Sequence, residues 1–178
     1  NGIERFAPLF FVAPTQANYQ IPEGTATGIA RVIVIGGDGK VSSESLQVDT
    51  VAPALFSANA SGSGLATGSA LRIKADGAQI YEPLSRFDPT QNKIVPIPLD
   101  LGPATDQLFL ILYGSGLRFN SGLSAVTAKI GGVDSQVLYA GPVDGFVGLD
   151  QVNLSLPRSL MGRGLVDVMI TADAKTAN

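Results

Sequence analysis

Aspartate and glutamate, 15 in all, are the side chains best suited to hold a metal here, because the chain has no histidine and no cysteine. Oxygen donors suit a hard cation, and calcium is the one metal this composition admits. The aspartates placed to serve it lie in turn-forming runs. Asp144 and Asp150 bound VDGFVGLD, Asp100 and Asp106 bound a proline-containing loop, and Asp38 sits in GGDG. Aspartate is also an ordinary turn former, since its carboxylate bonds its own backbone. The chain carries no EF-hand or nonapeptide calcium pattern, and no other cofactor is implied.

The missing imidazole and thiol exclude cysteine nucleophiles and any hydrolase triad with a histidine base. Gly114-Ser115-Gly116 lacks the spacing of a nucleophile elbow, and Gly37-Asp38-Gly39-Lys40 lacks the leading glycine and the hydroxyl of a phosphate-binding loop. Both read as turns. The acidic residues contain no singled-out pair for glycoside chemistry. The net charge is -3 and only 15% of residues are charged, so the basic footprint of a nucleic-acid partner is missing. No run approaches the roughly 18 to 20 apolar residues of a membrane-spanning helix.

One amide motif occurs twice. Gln16, Asn18 and Pro22 in APTQANYQIPEGT are echoed by Gln151, Asn153 and Pro157 in GLDQVNLSLPRSL, each copy reading Gln-x-Asn-x-x-Ile/Leu-Pro. Each follows a β-type run closing on proline, Leu9 to Pro14 and Val137 to Pro142. Paired amides are a known means of sugar recognition, but they equally satisfy backbone groups where a loop enters a strand, and this structural role is the one expected. Two asparagines fit the glycosylation pattern, Asn59 and Asn153, and only Asn59 lies in an expected loop able to accept a glycan.

The elements that would position these residues are all strands. Helical periodicity is absent, and only Arg158 to Met161 suits a single turn. Ala30 to Ile35 and Ser43 to Val48 read as a hairpin across GGDG, Leu71 to Ala75 and Gln79 to Leu84 as one across Asp76-Gly77, and Ala125 to Ile130 and Val133 to Tyr139 as one across Gly131-Gly132. Leu108 to Tyr113 is a buried strand ended by Gly114-Ser115-Gly116. The four-proline segment from Arg86 to Asp106 reads as extended and irregular. With 21 glycines and 11 prolines as punctuation, the expected class is all-β, as two tandem immunoglobulin-like β-sandwich units related by the internal repeat, residues 1–53 and 54–178.

APLFFVAPTQANYQIP, DLGPATDQLFLILYGSGLR and IGGVDSQVLYAGPVDGFVGLDQVNLSLPRSL together resemble the uncharacterised Solibacter-type C-terminal domain of secreted acidobacterial proteins, and the second half resembles the IPT/TIG branch of immunoglobulin-like folds. The resemblance implies secretion and a β-sandwich, and it implies no catalytic residues. Judged against its repeat partner, the first unit is short of strands on its N-terminal side. The second is short of a closing strand after Asn178.

The expected function is a non-enzymatic extracellular or cell-surface structural module, a filament subunit that self-associates through exposed strand edges, with Ile3 to Val12 as the donated strand. The competing expectation is a glycan-binding or adhesive appendage of a larger secreted protein.

Overall fold

The computed structural model describes residues 2–178, which divide into two compact units, 1–50 and 51–178. The class is all-β. The first unit holds two antiparallel hairpins. Leu9–Ala13 (β1) pairs with Gln16–Tyr19 (β2), and Pro14-Thr15 supply the two-residue turn, where the fixed proline φ and the lack of a ladder N–H are both tolerated. Gly28–Ile35 (β3) pairs with Val41–Val48 (β4) from Gly28↔Val48 to Ile35↔Val41, joined through the Gly36–Gly39 turn. No described residue of this unit is buried.

The second unit has the arrangement of a β-sandwich. Its strands are Ala54–Leu55 (β5), Gly68–Ile73 (β6), Gln79–Pro83 (β7), Ser85–Asp88 (β8), Lys93–Pro96 (β9), Gln107–Ser115 (β10), Val126–Ile130 (β11), Val133–Ser135 (β12), Val137–Pro142 (β13), Asp150–Ser155 (β14), Val168–Ala172 (β15) and Lys175–Thr176 (β16). One sheet runs β13-β14-β10-β6-β7 with β5 also on β10, and the other runs β12-β11-β15-β16. Alternation explains the packing: Asp150, Val152 and Leu154 of β14 are buried while Gln151, Asn153 and Ser155 are half-buried on the opposite face. Leu110 and Leu112 of β10 with Val152 and Leu154 form one core cluster with Val126, Ala128, Ile130, Ile170 and Ala172 of the other sheet. Each fully buried aliphatic side chain of this kind contributes about 1.5–3 kcal/mol.

Several expectations need correction. The proline-rich stretch is not irregular throughout, because β8 and β9 form a hairpin with Arg86↔Val95 and Phe87↔Ile94 in register. Its turn is held by Asp88, whose carboxylate accepts the backbone N–H of Thr90 at 2.9 Å and the side-chain amide of Gln91 at 2.7 Å, besides a short bond from the Thr90 hydroxyl. Gly114-Ser115 does not end β10 but extends it: both residues pair with β5 as Gly114↔Leu55 and Ser115↔Ala54. A Cβ at Gly114 would meet the Ala54 carbonyl at 2.1 Å, so glycine is what admits β5. Val133 to Tyr139 is two strands in two sheets, divided at Gln136. Val51, which precedes the expected boundary at 53, is part of the core of the second unit at 3% exposure.

Candidate functional site

The aspartates are dispersed among separate structural tasks. Asp150 has no exposed surface and opens β14 instead of bounding a free loop. Its Oδ1 accepts from Arg118 Nε at 2.8 Å, and its Oδ2 accepts the backbone N–H groups of Leu117 at 2.7 Å and Arg118 at 3.2 Å. Asp106 accepts from Arg72 Nη1 at 3.2 Å, and Asp100 accepts the backbone N–H of Gly102 at 2.9 Å. Asp38 pairs with Lys40 at 2.7 Å in the hairpin tip, and the hydrogen bond from Lys40 holds its carboxyl below the usual range. Asp144 is exposed. Among the described residues no three acidic side chains gather as a metal-holding group. The expected calcium ligands Asp144, Asp150, Asp100, Asp106 and Asp38 therefore do not converge, because arginines and turn backbone claim most of their oxygens.

The repeated amides make the same local contact twice. Gln16 Nε2 donates to Asn18 Oδ1 at 2.7 Å, and Gln151 Nε2 donates to Asn153 Oδ1 at 2.8 Å. In each copy the glutamine and asparagine lie on one face of a strand that pairs back on the preceding β-run, β2 on β1 and β14 on β13. The expected bond to nearby backbone is replaced by this amide-to-amide bond, since alternate residues of a strand stand side by side. Surroundings differ between the copies: Gln16 and Asn18 are exposed, whereas Gln151 and Asn153 are half-buried between β13 and β10. Pro22 and Pro157 follow their strands in both copies, and Pro157 leads into a 3₁₀ turn at Arg158–Leu160. Asn59 is exposed in a turn, its Oδ1 accepting the N–H and the hydroxyl of Ser61 at 3.2 and 2.8 Å.

Three arginines that sequence inspection did not single out organise the second unit. Arg72, buried in β6, donates to both oxygens of Glu82 at 2.5 and 3.2 Å, to Asp106, and to the Asp100 carbonyl at 2.5 Å. The bond to Glu82 keeps its guanidinium pKa above the ordinary value against the opposing effect of burial. Arg118 binds Asp150. Arg158 donates to the carbonyls of Leu101 at 2.9 Å, Pro103 at 3.1 Å and Gly102 at 2.5 Å, and has no carboxylate partner among the described residues. Nothing in their sequence neighbourhoods signals these roles, because each partner lies ten or more residues away or belongs to the backbone.

Two surfaces stand out for recognition. At one end of the sandwich a cleft of about 370 Å³ is lined by Gln107 and Phe109 of β10, by Gln136, Ser155, Leu156 and Arg158, and by the 101–106 segment that Arg72 and Arg158 hold. The other surface belongs to the first unit, where Phe6 is 95% exposed, Ile29 76% and Ile35 70%. Strand β3 carries apolar side chains on both faces, Ala30, Val32 and Val34 on one and Ile29, Ile33 and Ile35 on the other, where Arg31 interrupts them and donates to Ser43 at 3.0 Å. Comparison with family models, curated proteins and solved structures finds no match.

Proposed function

We propose that the chain is a non-enzymatic structural module of an extracellular or cell-surface assembly, built from tandem immunoglobulin-like units and associating through the strands of its first unit. One observation carries this reading. A unit of two hairpins, with none of its described residues buried and with β3 bearing three aliphatic side chains on one face and, around Arg31, three on the other, has the composition of a core without a core. Isolated two-stranded sheets are marginal in water, and a strand apolar on both faces is the pattern of one covered on both sides. Added strands would complete it, and the exposed edges of such hairpins offer the backbone groups that strand addition uses. When each subunit gives a strand at one end and receives at the other, the contact is heterologous and grows into a filament unless it closes into a ring.

The non-enzymatic part of the reading draws on the enclosed carboxylates, which are committed to structure. Asp150 and Asp106 are engaged by arginines, and Asp88 is enclosed by its own turn. A general acid or base needs a carboxyl free to exchange its proton with substrate.

Sedimentation velocity and electron microscopy of the whole chain test the assembly. Growth with concentration into long particles is expected, and a variant lacking residues 1–8 should stay folded and fail to assemble. A chain that remains monomeric at high concentration, or a shortened one that polymerises as well as the parent, would count against strand donation by this segment.

A further inference from the structure

The cleft at the end of the sandwich brings together two amides that the fold does not use and an arginine that it leaves without a carboxylate. The side-chain amides of Gln107 and Gln136 are exposed and make no hydrogen bond to protein, although every buried side-chain nitrogen and oxygen among the described residues is satisfied. Arg158 is half-buried, and its charge is met by three loop carbonyls and no carboxylate. Its Nε is uncommitted. Asp106, the acidic residue lining the same cleft, is paired with Arg72 at 3.2 Å, a cation that it shares with Glu82. Arg158 is thus the cation of the lining that no carboxylate among the described residues meets. Phe109 stands on the outer, half-buried face of β10, beside Ser155 of β14.

We propose that this cleft binds an anionic saccharide, with Arg158 taking the carboxylate or sulfate, the Gln107 and Gln136 amides taking ring hydroxyls, and Phe109 lying against the sugar face. A guanidinium matches the geometry of a planar anion. A primary amide offers both donors and an acceptor, which is what a hydroxyl needs from its partner. The volume, about 370 Å³, lies at the small end for ligand sites and suits one or two sugar rings. The three carbonyls that hold Arg158 fix its head group before ligand arrives, which lowers the entropic cost of binding. This site lies in the second unit and does not rest on association of the first, so its failure would leave that reading standing.

The test is calorimetric titration of the whole chain with trigalacturonate, with a sulfated disaccharide, and with the neutral galactose trimer. Binding of at least one acidic probe is expected, about tenfold or more tighter than the neutral trimer, as loss of a charge-assisted hydrogen bond implies. The uronate and sulfate arms show which anion is read. Gln107→Ala and Gln136→Ala touch no structural bond, so each should weaken binding severalfold with an unchanged melting temperature. Absence of binding to both acidic probes, equal binding of the neutral trimer, or affinity unmoved by both variants would overturn the proposal. An acetylated dipeptide carboxylate bound as tightly as the uronate would overturn the saccharide assignment as well.

Discussion

Asp150 and Arg118 close the second unit at one corner: Oδ1 meets Nε at 2.8 Å, while Oδ2 collects the N–H groups of Leu117 and Arg118 itself. The carboxylate has no exposed surface, and the guanidinium side chain is 23% exposed. Asp150→Ala would leave two backbone donors and a partly buried cation without their acceptor. Removal of one partner of a buried pair costs about 3–5 kcal/mol, and the partial exposure of Arg118 places this loss near about 3 kcal/mol. Denaturant unfolding of the second unit measures it.

Gly116 follows directly on β10 at φ +76, and an added Cβ would lie 1.9 Å from the carbonyl oxygen of Ala52. That carbonyl belongs to a close approach in which Ala52 N–H donates to Gly116 O at 3.1 Å. Gly116→Ala combines a left-handed backbone, costing roughly 1–2 kcal/mol, with displacement of the segment that carries Val51 into the core. A drop in stability of at least about 2 kcal/mol is expected, read by thermal or urea unfolding.

Asp88 is the titrating group with the clearest shift. The hydroxyl of Thr90 first, then the amide of Gln91 and both backbone N–H groups, stabilise its charged form and lower its pKa from 3.8 to about 2. A folded pKa below the unfolded one means that the carboxylate stabilises the hairpin above pH 3.8, and that this contribution fades as pH falls towards 2. Carbon-detected NMR titration of the Asp88 carboxyl should show a midpoint near 2. In Asp88→Asn the corresponding acid-dependent loosening of β8 and β9 should vanish.

The two amide pairs offer a comparison within one molecule. Asn153→Ala removes the acceptor of Gln151 in a half-buried setting between two strands, and should cost about 1 kcal/mol. Asn18→Ala makes the same deletion on an exposed hairpin and should stay within about 0.5 kcal/mol. Paired urea titrations check both.

Much of the local structure was legible in the chain. Gly131-Gly132 marked its hairpin because both residues of a two-residue turn need left-handed backbone, Asp76-Gly77 marked a longer turn in which Gly77 alone takes it at φ +82, and the β-branched run from Ala30 to Ile35 marked β3. The repeated Gln-x-Asn motif marked a repeated local arrangement, but the expected bond to backbone is an amide-to-amide bond in both copies, since a strand places alternate side chains on one face wherever it occurs. The β8–β9 hairpin escaped because its prolines fall at the turn and the strand end, where no ladder N–H is required, and because Asp88 replaces the usual glycine signal with side-chain bonds.

Sequence by itself determined the all-β class, the strand-forming runs and the exclusion of histidine and thiol chemistry, because these follow from residue type and short-range periodicity. Tertiary structure alone decided which carboxylates are neutralised, that Gln136 divides two sheets, and that Gln107, Phe109 and Arg158 share a cleft. Those relations join residues as much as 51 positions apart (158 - 107 = 51). They depend on strand order and loop placement, which the alternation of any single strand does not encode. The buried Asp150 is the clearest case: by spacing it bounded a loop, and by packing it became the anchor of Arg118.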